Sequence, residues 1–167
     1  MKWIGSILLI ATGLGTGLAG WLRLQRRVNA LQQFLLFINR LSERIRYTTA
    51  PLSVLLQALS KTDEFKDFPL LQISFQGAGR EMRRYWQDAI EEQGESWGFS
   101  ADDRVLVKAF TGELGKTDAA GEVRFCEDYE TLTRSRLEQA REDWKSKGRL
   151  YLTLGACGGI AAALLLW

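Results

Sequence analysis

WIGSILLIATGLGTGLAGWL, residues Trp3 to Leu22, is a run of twenty residues without a charge. As a helix it rises about 1.5 Å per residue, enough to cross a hydrocarbon core roughly 30 Å thick. LYLTLGACGGIAAALLLW, Leu150 to Trp167, repeats the pattern over eighteen residues at the other end. Almost everything charged lies between the two. The sequence therefore predicts transmembrane helices at 3-22 and 150-167 holding a water-soluble domain, 23-149, on one face of a bilayer. Arg23, Arg26 and Arg27 follow the first run, and Lys145, Lys147 and Arg149 precede the second. Positive residues next to membrane segments favour the cytoplasmic side. The expectation is an integral, two-pass membrane protein with a cytoplasmic middle domain and both termini across the membrane. Three arginines directly after the first run also favour an uncleaved anchor over a signal peptide.

Working inward, Val28, Leu31, Leu35, Ile38, Leu41 and Ile45 recur at three- and four-residue steps, with Phe34 and Phe37 widening the stripe. This predicts a helix over Trp21 to Thr49, continuous with the first anchor, that packs on more than one neighbour. Pro51 stops it, and Thr49 is the expected cap of a second helix with Leu52, Leu55, Leu56 and Leu59 on its apolar face. A charged loop from Lys61 to Asp67 follows. Pro69 to Phe75 is apolar and reads as helix or strand by pattern alone, and Gln76-Gly77-Ala78-Gly79 breaks it. A further helix is predicted from Arg80 to Gln93, with Met82, Tyr85, Trp86, Ala89 and Ile90 on one side. Gly94 and Gly98 frame the next loop. Ser100 with Asp103 has capping-box spacing. The helix it starts has Val105, Leu106, Ala109, Phe110 and Leu114 as expected core face, with Gly115 just past its end.

From Ala119 to Gly148 a long helix is expected, with Cys126, Tyr129, Leu132, Leu137, Ala140 and Trp144 in helical period. Glu130 with Arg134 and Asp143 with Lys147 are pairs four apart on its outer face. Nothing alternates with a period of two. The fold class expected is all-α, an antiparallel helical bundle flanked by the two transmembrane helices.

Composition narrows the chemistry. The 22 Lys and Arg and the 20 Asp and Glu balance to a net charge of +2 and are interspersed, which argues against a nucleic-acid partner. With 0 histidines, His-based acid–base work, Ser-His or Cys-His pairs and the commonest zinc ligand are unavailable. Cys126 and Cys157, one on a soluble helix and one in the second apolar run, suggest no disulfide framework. Adjacent carboxylates such as Glu91 with Glu92, Asp102 with Asp103 and Glu127 with Asp128 point about 100° apart on a helix, so they do not converge on a metal or a scissile bond. No catalytic residue, cofactor, metal or small-molecule substrate is expected.

Two features remain. Gly115-Lys116-Thr117 resembles the end of a phosphate-binding loop. The full motif needs glycine five positions earlier, where Phe110 stands, and a preceding strand where a helix is predicted. A helix end at Gly115 followed by a cap at Thr117 or Asp118 accounts for every residue. In the anchors, Gly13 with Gly17 and Gly155 with Gly159 are small-residue pairs that let helix backbones approach closely in lipid. They would be satisfied by the two anchors packing together or by oligomerisation.

The order of features resembles a known family. Met1-Lys2-Trp3-Ile4-Gly5 opens into an apolar run, and Glu43-Arg44-Ile45-Arg46-Tyr47 precedes Pro51-Leu52. Leu114-Gly115-Lys116-Thr117-Asp118 leads into the long helix, and Lys147-Gly148-Arg149-Leu150-Tyr151 into Leu154-Gly155 and the last anchor. Over nearly its whole length the chain resembles stage III sporulation protein AB of endospore-forming Firmicutes. The family usually has Ser at the position of Thr117 and a Gln a few residues past the Asp, where this chain continues Ala119-Ala120-Gly121-Glu122. The resemblance implies a non-enzymatic component of the channel between mother cell and forespore, on the mother-cell side of the outer forespore membrane. Its soluble domain would be similar to the cytoplasmic domain of type II secretion platform proteins. The implied partners are a cytoplasmic secretion-type ATPase, stage III sporulation protein AA, and other membrane proteins of the channel.

Two readings compete within that frame. One is a platform that docks the ATPase, with the long charged helix as a mechanical link to the second anchor. In it the exposed loops Lys61–Asp67 and Gly112–Asp118 (Leu114, Gly115, Lys116, Thr117 and Asp118 in particular) are the expected partner contacts. The other is a passive membrane-anchored scaffold without a motor partner, in which the stripe from Val28 to Ile45 is a coiled-coil seam of a homo-oligomer. A nucleotide site at Lys116 is the third and weakest alternative.

Overall fold

The computed structural model describes the backbone of residues 2–73 and 80–165, with side chains at 12, 15, 17–73, 81–151, 153, 154, 157, 158 and 161. Among the described residues the chain is all-α, with six α-helices and no strand. They are α1 (Lys2–Tyr47), α2 (Leu52–Ser60), α3 (Pro69–Ile73), α4 (Arg80–Gln93), α5 (Ala101–Glu113) and α6 (Ala119–Leu165), with a 3-10 turn at Asp63–Phe65. The chain divides into two compact units, Met1–Val28 with Glu138–Trp167, and Asn29–Leu137. Both long helices run through the division without a break, so the residues predicted as soluble helix and as anchor share one backbone element at each end.

In the unit Asn29–Leu137 the core is built on α1. Leu31, Phe34, Phe37, Ile38 and Leu41 are fully buried and Val28 nearly so, whereas Leu35 and Ile45 of the predicted stripe are only half-buried. Phe34 and Phe37 meet Phe110 edge-on at 5.4 and 6.1 Å, and Phe110 stacks on Phe125 at 5.3 Å. Phe65, from the segment expected to be a charged loop, and Phe68, just past its expected end, lie 6.3 and 5.7 Å from Phe37. Two phenylalanines there are enough to pull it onto the core, because each removes a large apolar surface from water. Arg40 ties it down with 3.0 and 3.1 Å bonds to Glu64.

The other helices close around this cluster. Trp86 of α4 is fully buried and donates its indole N–H to the Leu70 carbonyl of α3 at 2.8 Å. That short segment is helical from Pro69 to Ile73, with proline in its favoured first position. The break expected at Gln76-Gly77-Ala78-Gly79 lies outside the described residues. Helices α4 and α5 form an antiparallel hairpin. Lys108 pairs with Glu91 toward its closed end, and Arg83 reaches the Leu114 carbonyl at 3.4 Å toward its open end. The capping box is present: Ser100 accepts from the Asp103 amide at 3.2 Å, and Asp103 accepts from the Ser100 amide at 3.0 Å.

Four expectations need correction. Thr49 does not cap α2; Pro51 occupies the cap position, and its carbonyl accepts the first helical N–H groups at 2.9 and 3.2 Å. The core face of α5 is Val107, Phe110, Thr111 and Leu114, whereas Val105 is 68% exposed and Ala109 is exposed. Leu132 on α6 and Tyr85 on α4 also face outward. On α4, α5 and α6 the sequence offered more apolar positions than one face can hold, and only the neighbouring helices decide the phase of the stripe.

In the other unit α1 and α6 pack antiparallel. Trp21 lies 6.1 Å from Trp144, ring to ring, and Arg27 pairs with Asp143 at 3.4 Å. The close approach is made by Gly20 and Gly148. A Cβ on Gly20 would sit 3.1 Å from the Tyr151 ring, and one on Gly148 would sit 3.0 Å from Trp21. Of the small residues predicted for this role, Gly17 is buried, while the surroundings of Gly13, Gly155 and Gly159 lie outside the described residues. Among the described residues no helix is long and apolar enough to cross a membrane. The expected spans fall largely on residues whose side chains lie outside that set.

Candidate functional site

The loop between α5 and α6 carries the residues singled out in the sequence, Leu114 to Asp118. Helix α5 ends as predicted. The Leu114 amide donates to the Phe110 carbonyl at 3.1 Å, and Gly115 follows at φ +80°, a conformation glycine adopts at little cost. Helix α6 starts one turn later. Of the two expected caps it is Asp118 that serves, accepting the Gly121 amide at 3.0 Å.

The organising group of the loop is Glu122, which appeared in the sequence only as part of the stretch Ala119-Ala120-Gly121-Glu122 that departs from the family pattern. It is 6% exposed. One carboxylate oxygen, Oε1, accepts the Gly115 amide, the Thr117 amide and the Thr117 hydroxyl, each at 3.0 Å. Hydrogen bonds to an ionised acceptor are the strong ones, and three of them fix the loop as a closed ring around the carboxylate. The other oxygen, Oε2, is buried with no hydrogen-bond partner.

This geometry answers the phosphate-loop resemblance. A phosphate site needs backbone amides aimed at an external anion. Here the amides of Gly115 and Thr117 are spent on an internal one. Lys116 points to Glu113 at 2.9 Å.

Beside Glu122 lies a pocket of about 240 Å³. Ile45 from the end of α1 and Leu52 and Leu55 from α2 form its apolar walls, Thr48 and Thr49 its exposed rim, and Glu122 is its single charged lining residue. A Cβ on Gly115 would come 2.9 Å from Leu52, so the loop is seated directly on α2. The sequence signal that could have located this site was present: an acid four residues past a capping Asp, on the face that continues to the buried Cys126 and the half-buried Tyr129.

The other acids and thiols are accounted for structurally. Glu91 pairs with Lys108, which holds its carboxyl below the ordinary range, and Glu127 pairs with Arg46 at 2.8 Å. Burial pushes the Cys126 thiol up to about 12, with Glu122 and Glu127 adding to the shift, so it is no nucleophile at neutral pH. Burial, and then Glu113, also raise Tyr129 above the usual phenol range. Both cysteines are unpaired. Among the described residues no cluster of Cys, Asp and Glu could hold a metal ion. The second expected contact loop, Lys61–Asp67, presents Asp63, Glu64, Lys66 and Asp67 to solvent around the buried Phe65.

No curated protein and no solved structure matches the chain. The family comparison is positive and nearly complete, covering residues 2–167. The residues that carry the resemblance, from the opening Lys2-Trp3 through the Leu114–Asp118 loop to the final apolar run, all fall within that match. The chain belongs to the stage III sporulation protein AB family.

Proposed function

We propose that the chain is a non-enzymatic, two-pass membrane platform of the mother cell–forespore channel, whose cytoplasmic helical domain docks a secretion-type ATPase. Family membership supports a role in sporulation. The observation that carries the finer reading is α6. It is one helix from Ala119 to Leu165, starting at the loop braced by Glu122 and ending in the apolar run expected in the membrane. A contact made at the loop therefore acts on the element that enters the bilayer.

The passive-scaffold alternative loses its main support. Of the stripe from Val28 to Ile45 that would serve as an oligomer seam, Leu31, Ile38 and Leu41 are fully buried in the chain's own core, and Leu35 and Ile45 are half-buried. The test is binding of the full-length protein in lipid nanodiscs to the family's partner ATPase, stage III sporulation protein AA. Saturable binding at micromolar concentration is expected. Its absence, with both proteins folded, would overturn the docking reading and leave only the sporulation assignment.

A further inference from the structure

We propose that the pocket between Trp21 of α1 and residues 142–149 of α6 holds the headgroup of a phospholipid with a primary amine, its phosphate on Lys145 and Arg149 and its ammonium on Glu142. The inference rests on the two-pass membrane reading above and is independent of ATPase docking. The pocket has a volume of about 770 Å³, within the roughly 300–1,000 Å³ of sites that enclose a small molecule. Trp21, Trp144 and Ser146 line it together with the three charged residues. Trp21 and Trp144 are half-buried and 6.1 Å apart, ring to ring, and the missing side chain of Gly148 lets Trp21 sit against α6. Indole rings of this kind favour the headgroup level of a bilayer.

The charges are within reach of a ligand, and they are ordered. Glu142, Lys145 and Arg149 are exposed, and none of them makes an ion pair among the described residues. The neighbouring Asp143 is already matched by Arg27 at 3.4 Å and Lys147 at 2.7 Å. Steps of three and four put Glu142, Lys145 and Arg149 on one face, about 4.5 and 6 Å apart along the axis at 1.5 Å per residue. Arg149 adjoins the final apolar run, where Leu150 and Leu154 are exposed, and Glu142 is farthest from it. A phospholipid standing in a bilayer presents acyl chain, phosphate and ammonium in that same order. Long basic side chains reach the phosphate level from a helix end, and basic pockets between membrane helices take lipid headgroups. The acid selects within that class. Its carboxylate accepts N–H groups from a primary ammonium, finds none on a choline, and repels the uncompensated charge of an anionic headgroup.

The experiment titrates the full-length protein in detergent with phosphatidylethanolamine, phosphatidylcholine or phosphatidylglycerol and reads bound lipid by native mass spectrometry. The wild type is expected to bind phosphatidylethanolamine about threefold tighter than either of the others, the scale of one exposed ion pair. Lys145→Gln combined with Arg149→Gln should weaken that binding about tenfold, as two basic residues acting on one phosphate imply. The melting temperature should not change, because both side chains are exposed. Glu142→Gln should keep phosphate binding and remove the preference over phosphatidylglycerol. Arg141→Gln, exposed on α6 and outside the pocket, should bind like the wild type. Soluble glycerophosphoethanolamine at equal concentration should not displace the lipid; displacement would overturn the lipid as the source of the headgroup. Equal binding of the three lipids, a preference for phosphatidylglycerol, or an unchanged double variant would overturn the site. Failure of the wild type to float with liposomes in a density gradient would overturn the two-pass reading itself.

Discussion

Glu122 and Cys126 sit one turn apart on α6, and burial gives each a measurable consequence. Glu122→Ala removes the acceptor of three donors and leaves the Gly115 and Thr117 amides without a partner. The expected loss is about 1–3 kcal/mol in denaturant unfolding, the typical worth of hydrogen bonds to a charged group, since water can reach the exposed Gly115 and Thr117. Cys126 gives a pH effect. Its thiol ionises near 9 in the unfolded chain and at about 12 in the folded one. Above pH 9 the unfolded state releases a proton that the native state retains. The native advantage is therefore complete below that pH and is lost as pH rises toward 12, at up to about 1.4 kcal/mol per unit. Cys126→Ala should flatten this part of the stability profile relative to wild type, and identical slopes would contradict the assignment.

At the scale of elements, the corrected face of α5 is the sharpest test. Val107 is fully buried and Val105 is 68% exposed, two residues apart on one helix. Val107→Ala should cost about 2 kcal/mol, the worth of a buried valine side chain, and Val105→Ala should stay within about 0.5 kcal/mol. Equal costs would put the predicted phase back in place. Ser100→Ala breaks the reciprocal bonds with Asp103 and should cost about 1 kcal/mol in the same assay. In the unit formed by the outer parts of α1 and α6, Gly148→Leu must displace Trp21, which lies 3.0 Å from the added Cβ. A lowered melting temperature in detergent, on the order of 1–3 kcal/mol, is the expected result of such overpacking.

For the whole molecule the claim to test is its arrangement about the bilayer. The proposal that the middle of the chain lies on the cytoplasmic side rests on the basic residues at 23–27 and 145–149. In a Cys126→Ala and Cys157→Ala background, a cysteine at the exposed Glu92 should react with a membrane-impermeant maleimide only after the membrane is opened. A cysteine replacing Lys2 should react in intact protoplasts. Labelling of both in the same compartment would remove the two-pass arrangement and the platform reading with it.

The sequence by itself determined the long helices, their order and most of their ends, because these depend on local terms: a 3.6-residue apolar period, Ser100 with Asp103 and glycine at 115. It determined most of the α1 core for the same reason, and the family through the order of its motifs; it left Pro69–Phe75 open between helix and strand and the α6 cap open between Thr117 and Asp118. Tertiary structure decided which of several apolar residues face inward on α5 and that Phe65 and Phe68 turn a charged loop into core. It also decided that, among the described residues, Gly20 and Gly148 stand where α1 and α6 meet closely, and that Glu122 is the centre of the α5–α6 loop. Each of these is set by what another helix places opposite, and that information is absent from any local window. A carboxylate four residues into a helix looks the same in sequence whether it meets water or closes a ring of amides. Only the packing of α2 against the loop removes the water and gives that carboxylate its role.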